Sequence, residues 1–81
     1  MTPNEATDRF LEMLNFVVAE DGFLFHPDTP LAKILRPEVI YPETFLASVA
    51  HGLDIEASEI DQYRIHPETD TVTTMFERLL A

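Results

Sequence analysis

The amino-acid sequence predicts an all-α fold, a small four-helix bundle with a long loop between the first and second helices. Apolar residues recur at helical spacing in long segments near both ends and in the middle of the chain. Prolines and helix-capping residues separate these segments. No stretch shows the apolar–polar alternation of a half-buried strand. With 81 residues and no low-complexity segment, we expect a single domain over residues 1–81.

The first predicted helix covers about residues 3–20. Thr2 is a suitable N-cap, Pro3 suits the first helical position, and Glu5 completes a capping box. Gly22 is then expected to end the helix in a left-handed conformation. The buried face is predicted to carry Phe10, Met13, Leu14, Val17 and Val18.

A loop is expected after this helix, because the segment HPDTP at residues 26–30 contains two prolines. Phe23 and Phe25 are expected to fold over the core from this loop. A short helical turn is predicted in PLAKIL at residues 30–35, with Thr29 as its cap and Pro30 in its first position. Two further prolines in RPEVIYP exclude a continuous helix before residue 42.

Three more helices complete the predicted bundle. The second covers residues 42–53, the short third covers residues 59–64 with Ser58 as its cap, and the fourth lies in residues 71–81. Their inward-facing residues are predicted to be Phe45, Leu46, Val49, Ala50 and Leu53 in the second, Ile60 and Tyr63 in the third, and Val72, Met75, Phe76, Leu79 and Leu80 in the fourth.

The charge and composition exclude several classes of function. The net charge is −10, from 15 acidic and 5 basic residues, and such a surface repels nucleic acids and anionic lipid headgroups. We expect neither as a partner; the charge suits a basic protein or simply a solvated surface. The chain has no cysteine, which excludes disulfides and thiolate metal sites. It also lacks an apolar run of ~20 residues and the features of a signal peptide, so we expect a cytoplasmic protein.

Three similar tetrapeptides occur along the chain: HPDT at 26–29, YPET at 41–44 and HPET at 66–69. Helix punctuation explains them, because proline suits the first turn of a helix and an acidic residue there meets the positive end of the helix dipole. The alternative is a zinc or anion site formed by the three histidines. These are His26, His51 and His66. No two of them show a ligand spacing such as i, i+4, so we predict no metal site and no cofactor.

No group of residues predicts catalysis. Ser48 and His51 would be neighbours on one helix face, but a nucleophile and its base also require an orienting group and an oxyanion hole. The two glycines, Gly22 and Gly52, do not form a phosphate-binding loop. We therefore expect the protein not to be an enzyme.

The order of the predicted helices and three segments resemble the acyl and peptidyl carrier protein family, and the D-alanyl carrier proteins in particular. HPDTPLAKIL at 26–35 is similar to the loop segment before the second helix of the family. HGLDIEASEID at 51–61 is similar to the stretch that leaves that helix, and TDTVTTMFERLL at 69–80 to the entry into the last helix. The resemblance spans roughly residues 5–80 and implies an acidic four-helix bundle with a short third helix.

The resemblance also implies where the chemistry of the family would lie. Carrier proteins bear a phosphopantetheine arm on the serine of an Asp-Ser-Leu motif at the start of the second helix. The best alignment puts Glu38 at the Asp position, Val39 at the serine position and Ile40 at the Leu position. Valine has no hydroxyl group, and PEVIY at 37–41 contains no serine. The chain thus resembles a carrier domain without its prosthetic group.

The sequence therefore predicts a non-catalytic carrier-like domain that acts through protein–protein interaction in a biosynthetic assembly. The expected partner is a biosynthetic enzyme with a basic or apolar docking surface. The predicted contact residues are Val39, Ile40, Tyr41 and Phe45, although all four could instead belong to the core. One alternative function is a working carrier modified at Ser48 or Ser58.

Another alternative is an acidic inhibitor or nucleic-acid mimic that occupies a basic groove on its partner. The acidic residues cluster mildly in two places, at Glu20 and Asp21 and over residues 54–61. Binding of such a protein would weaken steeply as the salt concentration rises.

Overall fold

The computed structural model describes residues 1–18 and 24–81. These residues form a helical bundle with two 3-10 turns and no β-strand, so the predicted all-α class is confirmed. Within the described ranges, no helix is long and apolar enough to cross a membrane. The helices are α1 (Pro3–Val17), α2 (Leu31–Ile34), α3 (Pro42–Leu53) and α4 (Val72–Leu79), and the 3-10 turns are Ala57–Glu59 and Gln62–Arg64.

A cluster of three aromatic rings lies at the centre of the core. Phe10 of α1 contacts Phe45 of α3 and Phe76 of α4 edge to face, with ring centroids 5.8 and 5.4 Å apart. This geometry is favourable for aromatic pairs and joins the three longer helices. Other side chains that are fully buried around it include Leu14, Leu31, Ile34, Val49, Val72 and Met75. The predicted apolar faces of these helices therefore meet in one core.

Thr2 caps the N-terminus of α1, as predicted, but the predicted capping box is incomplete, because the Glu5 carboxylate accepts from the Thr2 hydroxyl and not from the Thr2 amide. The Glu5 amide donates to Thr2 Oγ1 at 3.2 Å, and the Thr2 hydroxyl donates to Glu5 Oε1 at 3.2 Å. Among the described residues the helix ends at Val17, earlier than predicted, and Val17 is exposed because the buried row runs through Ala6, Phe10 and Leu14. The predictions for residues 19 and 20, Gly22 and Phe23 lie outside the described residues.

The loop before α2 uses its threonine differently from the prediction. Phe25 is buried, as expected. Thr29 does not cap α2, because its hydroxyl oxygen accepts from the His26 amide at 2.8 Å. The helix begins at Leu31, one residue later than predicted, and the Leu31 amide donates to the carbonyl of Asp70 at 2.9 Å. The Asp70 carbonyl, from a loop distant in sequence, therefore satisfies the first amide of α2 in place of Thr29.

Helix α3 has the predicted bounds, and its C-terminus is closed by Asp54 rather than by a glycine. Asp54 adopts the left-handed conformation with φ 57°, and the Ile55 amide donates to the Ala50 carbonyl at 3.1 Å. Asp is one of the residues that tolerate this conformation. From α1, Arg9 Nε donates to the His51 carbonyl at 3.1 Å, so a cation lies at the negative end of the α3 dipole.

The predicted helix at residues 59–64 is wrong, because this segment forms two separate 3-10 turns. The Asp61 carboxylate accepts from the Tyr63 amide at 3.1 Å and starts a new turn instead of continuing the first one. Ser58 lies inside the first turn and does not cap it. Ile60 is buried as predicted, whereas Tyr63 is almost fully exposed.

Helix α4 begins with a capping pair of threonines. Thr71 Oγ1 accepts from the Thr74 amide at 3.3 Å, and Thr74 Oγ1 accepts from the Thr71 amide at 2.8 Å. The buried face of α4 includes Val72 and Phe76, as predicted. Leu80 follows the last helical residue and is exposed, contrary to the prediction.

The three tetrapeptides lie between helical segments, as predicted, but of the three only YPET begins a helix directly. HPDT and HPET are turns closed by amide-to-carbonyl hydrogen bonds, from residue 29 to residue 26 at 3.0 Å and from residue 69 to residue 66 at 3.1 Å. The first turn also pairs with the start of α4, because the Val72 amide donates to the Thr29 carbonyl at 3.2 Å and the Thr73 amide to the Pro27 carbonyl at 3.0 Å. The pairing fixes the long loop against α4.

Replacing Thr7 of α1 by valine is expected to stabilise the fold by about 1 kcal/mol, because a buried hydroxyl without a partner carries a desolvation penalty of about that size. Thr7 is buried, and its Oγ1 has no hydrogen-bond partner in the part of the chain that the structure describes. Valine has the same shape and a similar helix propensity. Urea denaturation of Thr7→Val, with Thr7→Ser as the control that keeps the hydroxyl, measures the effect. A Thr7→Val variant less stable than the native chain would contradict it.

Candidate functional site

The segment that the resemblance associates with carrier chemistry is a turn ahead of α3. The amides of Val39 and Ile40 donate to the Arg36 carbonyl at 2.8 and 3.0 Å. The side chains of Arg36 and Glu38 form an exposed ion pair with an N–O distance of 2.6 Å. Val39 therefore lies in the turn that precedes Pro42, the first residue of α3, and not within the helix. It has no group that could accept a phosphopantetheine arm.

The four predicted contact residues divide between surface and core. Tyr41 is 71% exposed and Val39 is half-buried. Ile40 and Phe45 are buried, and Phe45 packs against Phe10 at the centre of the molecule. The side chains of Ile40 and Phe45 thus contribute to stability. Contact of Tyr41 and Val39 with a partner stays a prediction.

The two serines differ in accessibility. Ser48 is fully buried in α3, and its hydroxyl donates to the Thr44 carbonyl at 3.0 Å instead of pairing with His51. A modifying enzyme could not reach this hydroxyl in the folded chain. Ser58 is exposed in the first 3-10 turn, beyond the end of α3.

The three histidines occupy separate exposed positions in the loop before α2, on α3 and in the HPET turn. Over residues 1–18 and 24–81, the structure contains no group of three or more His, Asp or Glu side chains arranged to hold a metal ion. The backbone of His26 and His66 closes turns, as described above.

An apolar cleft lies beside the N-terminal half of α3, and we call it the α3 cleft. It has a volume of about 170 Å³ and is open to solvent on one side. It is lined by Leu35, Pro42, Phe45, Leu46, Gln62, Ile65 and Pro67. Sequence reasoning did not find this cleft, because its walls come from α2, α3, the second 3-10 turn and the HPET turn. The prolines of YPET and HPET, which both line it, were the available signal.

Three exposed carboxylates are sequence neighbours of residues that line the α3 cleft. Glu43, Asp61 and Glu68 are exposed, and each directly follows or precedes a residue that lines the cleft. In the described part of the chain, the ion pairs join Arg9 to Asp54, Arg36 to Glu38 and Arg78 to Asp70. None of the three carboxylates at the cleft is therefore neutralised by an ion pair within the described residues. We call Glu43, Asp61 and Glu68 the rim carboxylates.

The acidic residues of the second predicted cluster are also exposed. They are Asp54, Glu56, Glu59 and Asp61, and they follow one another from the end of α3 to the second 3-10 turn. The Glu59 carboxylate accepts from the Glu56 amide at 3.1 Å, so part of this acidity serves the local turn. Asp61 belongs both to this cluster and to the rim carboxylates.

A buried carboxylate, Asp70, holds the HPET turn to α4. It is 2% exposed and accepts from the Arg78 side chain, from Thr74 Oγ1 at 3.1 Å and from the His66 amide at 3.0 Å. Burial alone would raise the pKa of the Asp70 carboxyl, but these donors, led by Arg78, lower it below its ordinary value. Both carboxylate oxygens are engaged, so Asp70 is a structural group. Sequence reasoning missed it.

Comparisons with known proteins complete the description of the site. No protein-family model, no curated protein sequence and no solved structure matches the chain. The likeness to carrier proteins therefore rests on the sequence segments quoted above.

Proposed function

We propose that the protein is a non-catalytic carrier-like domain that lacks the phosphopantetheine serine and acts by binding a protein partner, a biosynthetic enzyme with a basic or apolar surface. The observation that carries the proposal is the segment before α3. It follows a loop and a short helical turn similar to those of carrier proteins, and it offers Glu38 and Val39 where the family has its Asp and Ser. On this alignment, an aliphatic side chain replaces the group that would be modified.

The alternative of a working carrier is weakened by the environment of the serines. Ser48 is buried and hydrogen-bonded within α3. Ser58 lies in a 3-10 turn after α3, whereas the family carries its arm at the start of the corresponding helix. A hydroxyl must be accessible to attack the pyrophosphate of coenzyme A, and only Ser58 of the two serines meets that condition.

Binding to a protein partner is supported by the surface near the start of α3. Tyr41 is exposed there, and tyrosine is enriched at protein interfaces. The rim carboxylates and the cluster from Asp54 to Asp61, which follows the end of α3, are exposed and negatively charged. Such a surface accelerates association with a basic partner and loses that advantage as salt screens the charges.

Incubation of the protein with coenzyme A and a broad-specificity phosphopantetheinyl transferase is expected to leave its intact mass unchanged. The reason is the absence of an accessible serine at the start of α3. Mass spectrometry of the intact chain provides the measurement, with a recognised carrier protein as the positive control in the same reaction. A mass gain of one phosphopantetheine arm would refute the proposal, and peptide mapping would then test Ser58.

A variant with the carrier motif restored uses the same experiment to test whether the chain is related to carrier proteins. Glu38→Asp combined with Val39→Ser restores the carrier motif at the aligned positions, and we expect it to acquire one arm. Ala57→Ser, an exposed position in a 3-10 turn, is the matched control and should remain unmodified. No gain with the restored motif would favour an unrelated helical bundle.

A further inference from the structure

We propose that the α3 cleft receives one bulky apolar side chain from a cationic segment of a partner protein, and that the rim carboxylates contact the cations beside it. This inference rests on the proposed function and extends it, because it names the class of partner and the surface that binds it. The occupant is an amphipathic segment in which an aromatic or branched aliphatic residue is flanked by lysine or arginine.

The size and lining of the cleft indicate a single side chain. A cavity of about 150 Å³ accommodates a benzene molecule, and the α3 cleft has a volume of about 170 Å³. Phe45 is buried behind it, while Leu46 and Ile65 are half-buried and present apolar surface to solvent. Gln62 is exposed and supplies the polar side chain of the lining. An apolar ring or a leucine-sized group would therefore cover surface that now faces water.

The charge around the cleft selects a cationic partner. Glu43, Asp61 and Glu68 form no ion pair with the described residues, so pairing with incoming cations would break no existing ion pair. The net charge of −10 disfavours anionic partners such as nucleic acids and acidic lipid surfaces. Complementary charge of this kind fixes the register of a partner and discriminates against wrong ones.

A second copy of this chain is a less suitable occupant. Each copy carries the same net charge of −10, so two copies repel each other at low salt. A second open groove lies beside α2 and is lined by residues that include Lys33 and Arg36. Arg36 already pairs with Glu38. Charge complementarity therefore favours a different, basic protein.

The test uses a short amidated peptide with one central tryptophan flanked by lysines on both sides. The protein contains no tryptophan, so all tryptophan emission comes from the peptide. At low salt, titration with the native protein is expected to shift the emission to shorter wavelength and to saturate at one peptide per chain. The same peptide with leucine in place of tryptophan should compete for the cleft and reverse the shift. The version with alanine in that position should compete poorly. A tryptophan peptide flanked by glutamates should not bind.

Two double variants with the same net charge locate the binding site. Glu43→Gln with Glu68→Gln removes two rim carboxylates, and is expected to weaken binding about fivefold, as the loss of two partly exposed ion pairs implies. Glu12→Gln with Glu77→Gln removes two exposed carboxylates from α1 and α4, and should weaken binding less than about twofold by the change in overall charge alone. Circular dichroism checks that both variants fold.

Several results would overturn the inference. One is that the native protein causes no shift in the tryptophan emission, and another is that the two double variants weaken binding equally. A third is that the alanine peptide competes as well as the leucine peptide. The last is that sedimentation shows self-association of the protein that displaces the peptide. Failure of the peptide without any mass gain from coenzyme A would refute the cleft assignment and leave the proposed function standing. A mass gain would refute the proposed function whatever the peptide does.

Discussion

Replacing Gly52 by alanine is expected to destabilise the fold by about 1–3 kcal/mol, the usual effect of overpacking a well-packed site, and to lower the melting temperature by about 4–8 °C for each kcal/mol. A methyl group at this position would lie 2.8 Å from the Ala6 carbonyl oxygen, 3.1 Å from Phe76 Cζ and 3.2 Å from Phe10 Cβ. The carbonyl belongs to the backbone of α1, so it cannot rotate away. The two helices would have to move apart, which would open the aromatic core.

The direction of this effect separates packing from helix propensity. Alanine is more favourable than glycine in a helix interior by about 1 kcal/mol, so propensity alone would make Gly52→Ala stabilising. Ala47 is exposed on the same helix, and Ala47→Gly measures the propensity contribution without the contact. Thermal and urea denaturation followed by circular dichroism compare the variants. A stabilised Gly52→Ala variant would show that α1 and α3 do not need their close approach.

The role of Gly52 illustrates what local sequence signals leave open. Near the end of an apolar-periodic segment, a glycine is consistent with a helix terminator. The structure instead ends the helix at Asp54, and uses Gly52 for contact with α1. The contact depends on residues more than 40 positions away, such as Ala6 and Phe10, and no spacing within α3 encodes it. Local patterns predicted the bounds of α3 correctly but did not predict the close contact of Gly52 with α1.

Helix boundaries were predictable where two local signals agreed. Thr2 and Pro3 start α1 as predicted, and Pro42 starts α3. The predictions failed where a distant group competes for the same donor or acceptor. Thr29 serves the HPDT turn while the first amide of α2 donates to Asp70, a residue 39 positions later. Periodicity also cannot distinguish a single helix at 59–64 from two 3-10 turns separated by the Asp61 hydrogen bond.

The candidate site was predictable only in part. The resemblance aligns Val39 with the serine of carrier proteins, and Val39 lies just before α3. It could not show that Ile40 and Phe45 face the core while Tyr41 faces solvent, because all of them fit an apolar pattern near a helix start. The α3 cleft depends on tertiary packing of four separate segments, and only its prolines were visible in the sequence.

Replacing Asp70 by alanine is expected to destabilise the fold by about 2–4 kcal/mol. Breaking a fully buried ion pair costs about 3–5 kcal/mol, and solvent screening at the Arg78 side chain, which is 35% exposed, reduces this value. The variant also removes the acceptor of the His66 amide and one of the acceptors of the Thr74 hydroxyl. Because Asp70 joins the HPET turn to α4, urea denaturation should show the loss in global stability. Glu77→Ala, at an exposed position of α4, is the control and should change stability by less than about 0.5 kcal/mol.

Asp70 is also expected to make stability depend on pH in the acid range. Its pKa is lower in the folded chain than the ordinary value of about 3.9 in the unfolded chain. The stabilisation from this group is therefore fully present above about pH 4–5 and is lost as pH falls through the folded pKa. Asp70→Asn keeps the shape and cannot titrate, so the difference in unfolding free energy between native protein and variant should be constant near neutrality and shrink in acid. Urea denaturation from neutral pH into the acid range measures this difference, with Glu77→Gln as the exposed control. A difference that stayed constant at every pH would contradict a pKa of Asp70 that is lower in the folded chain than in the unfolded chain.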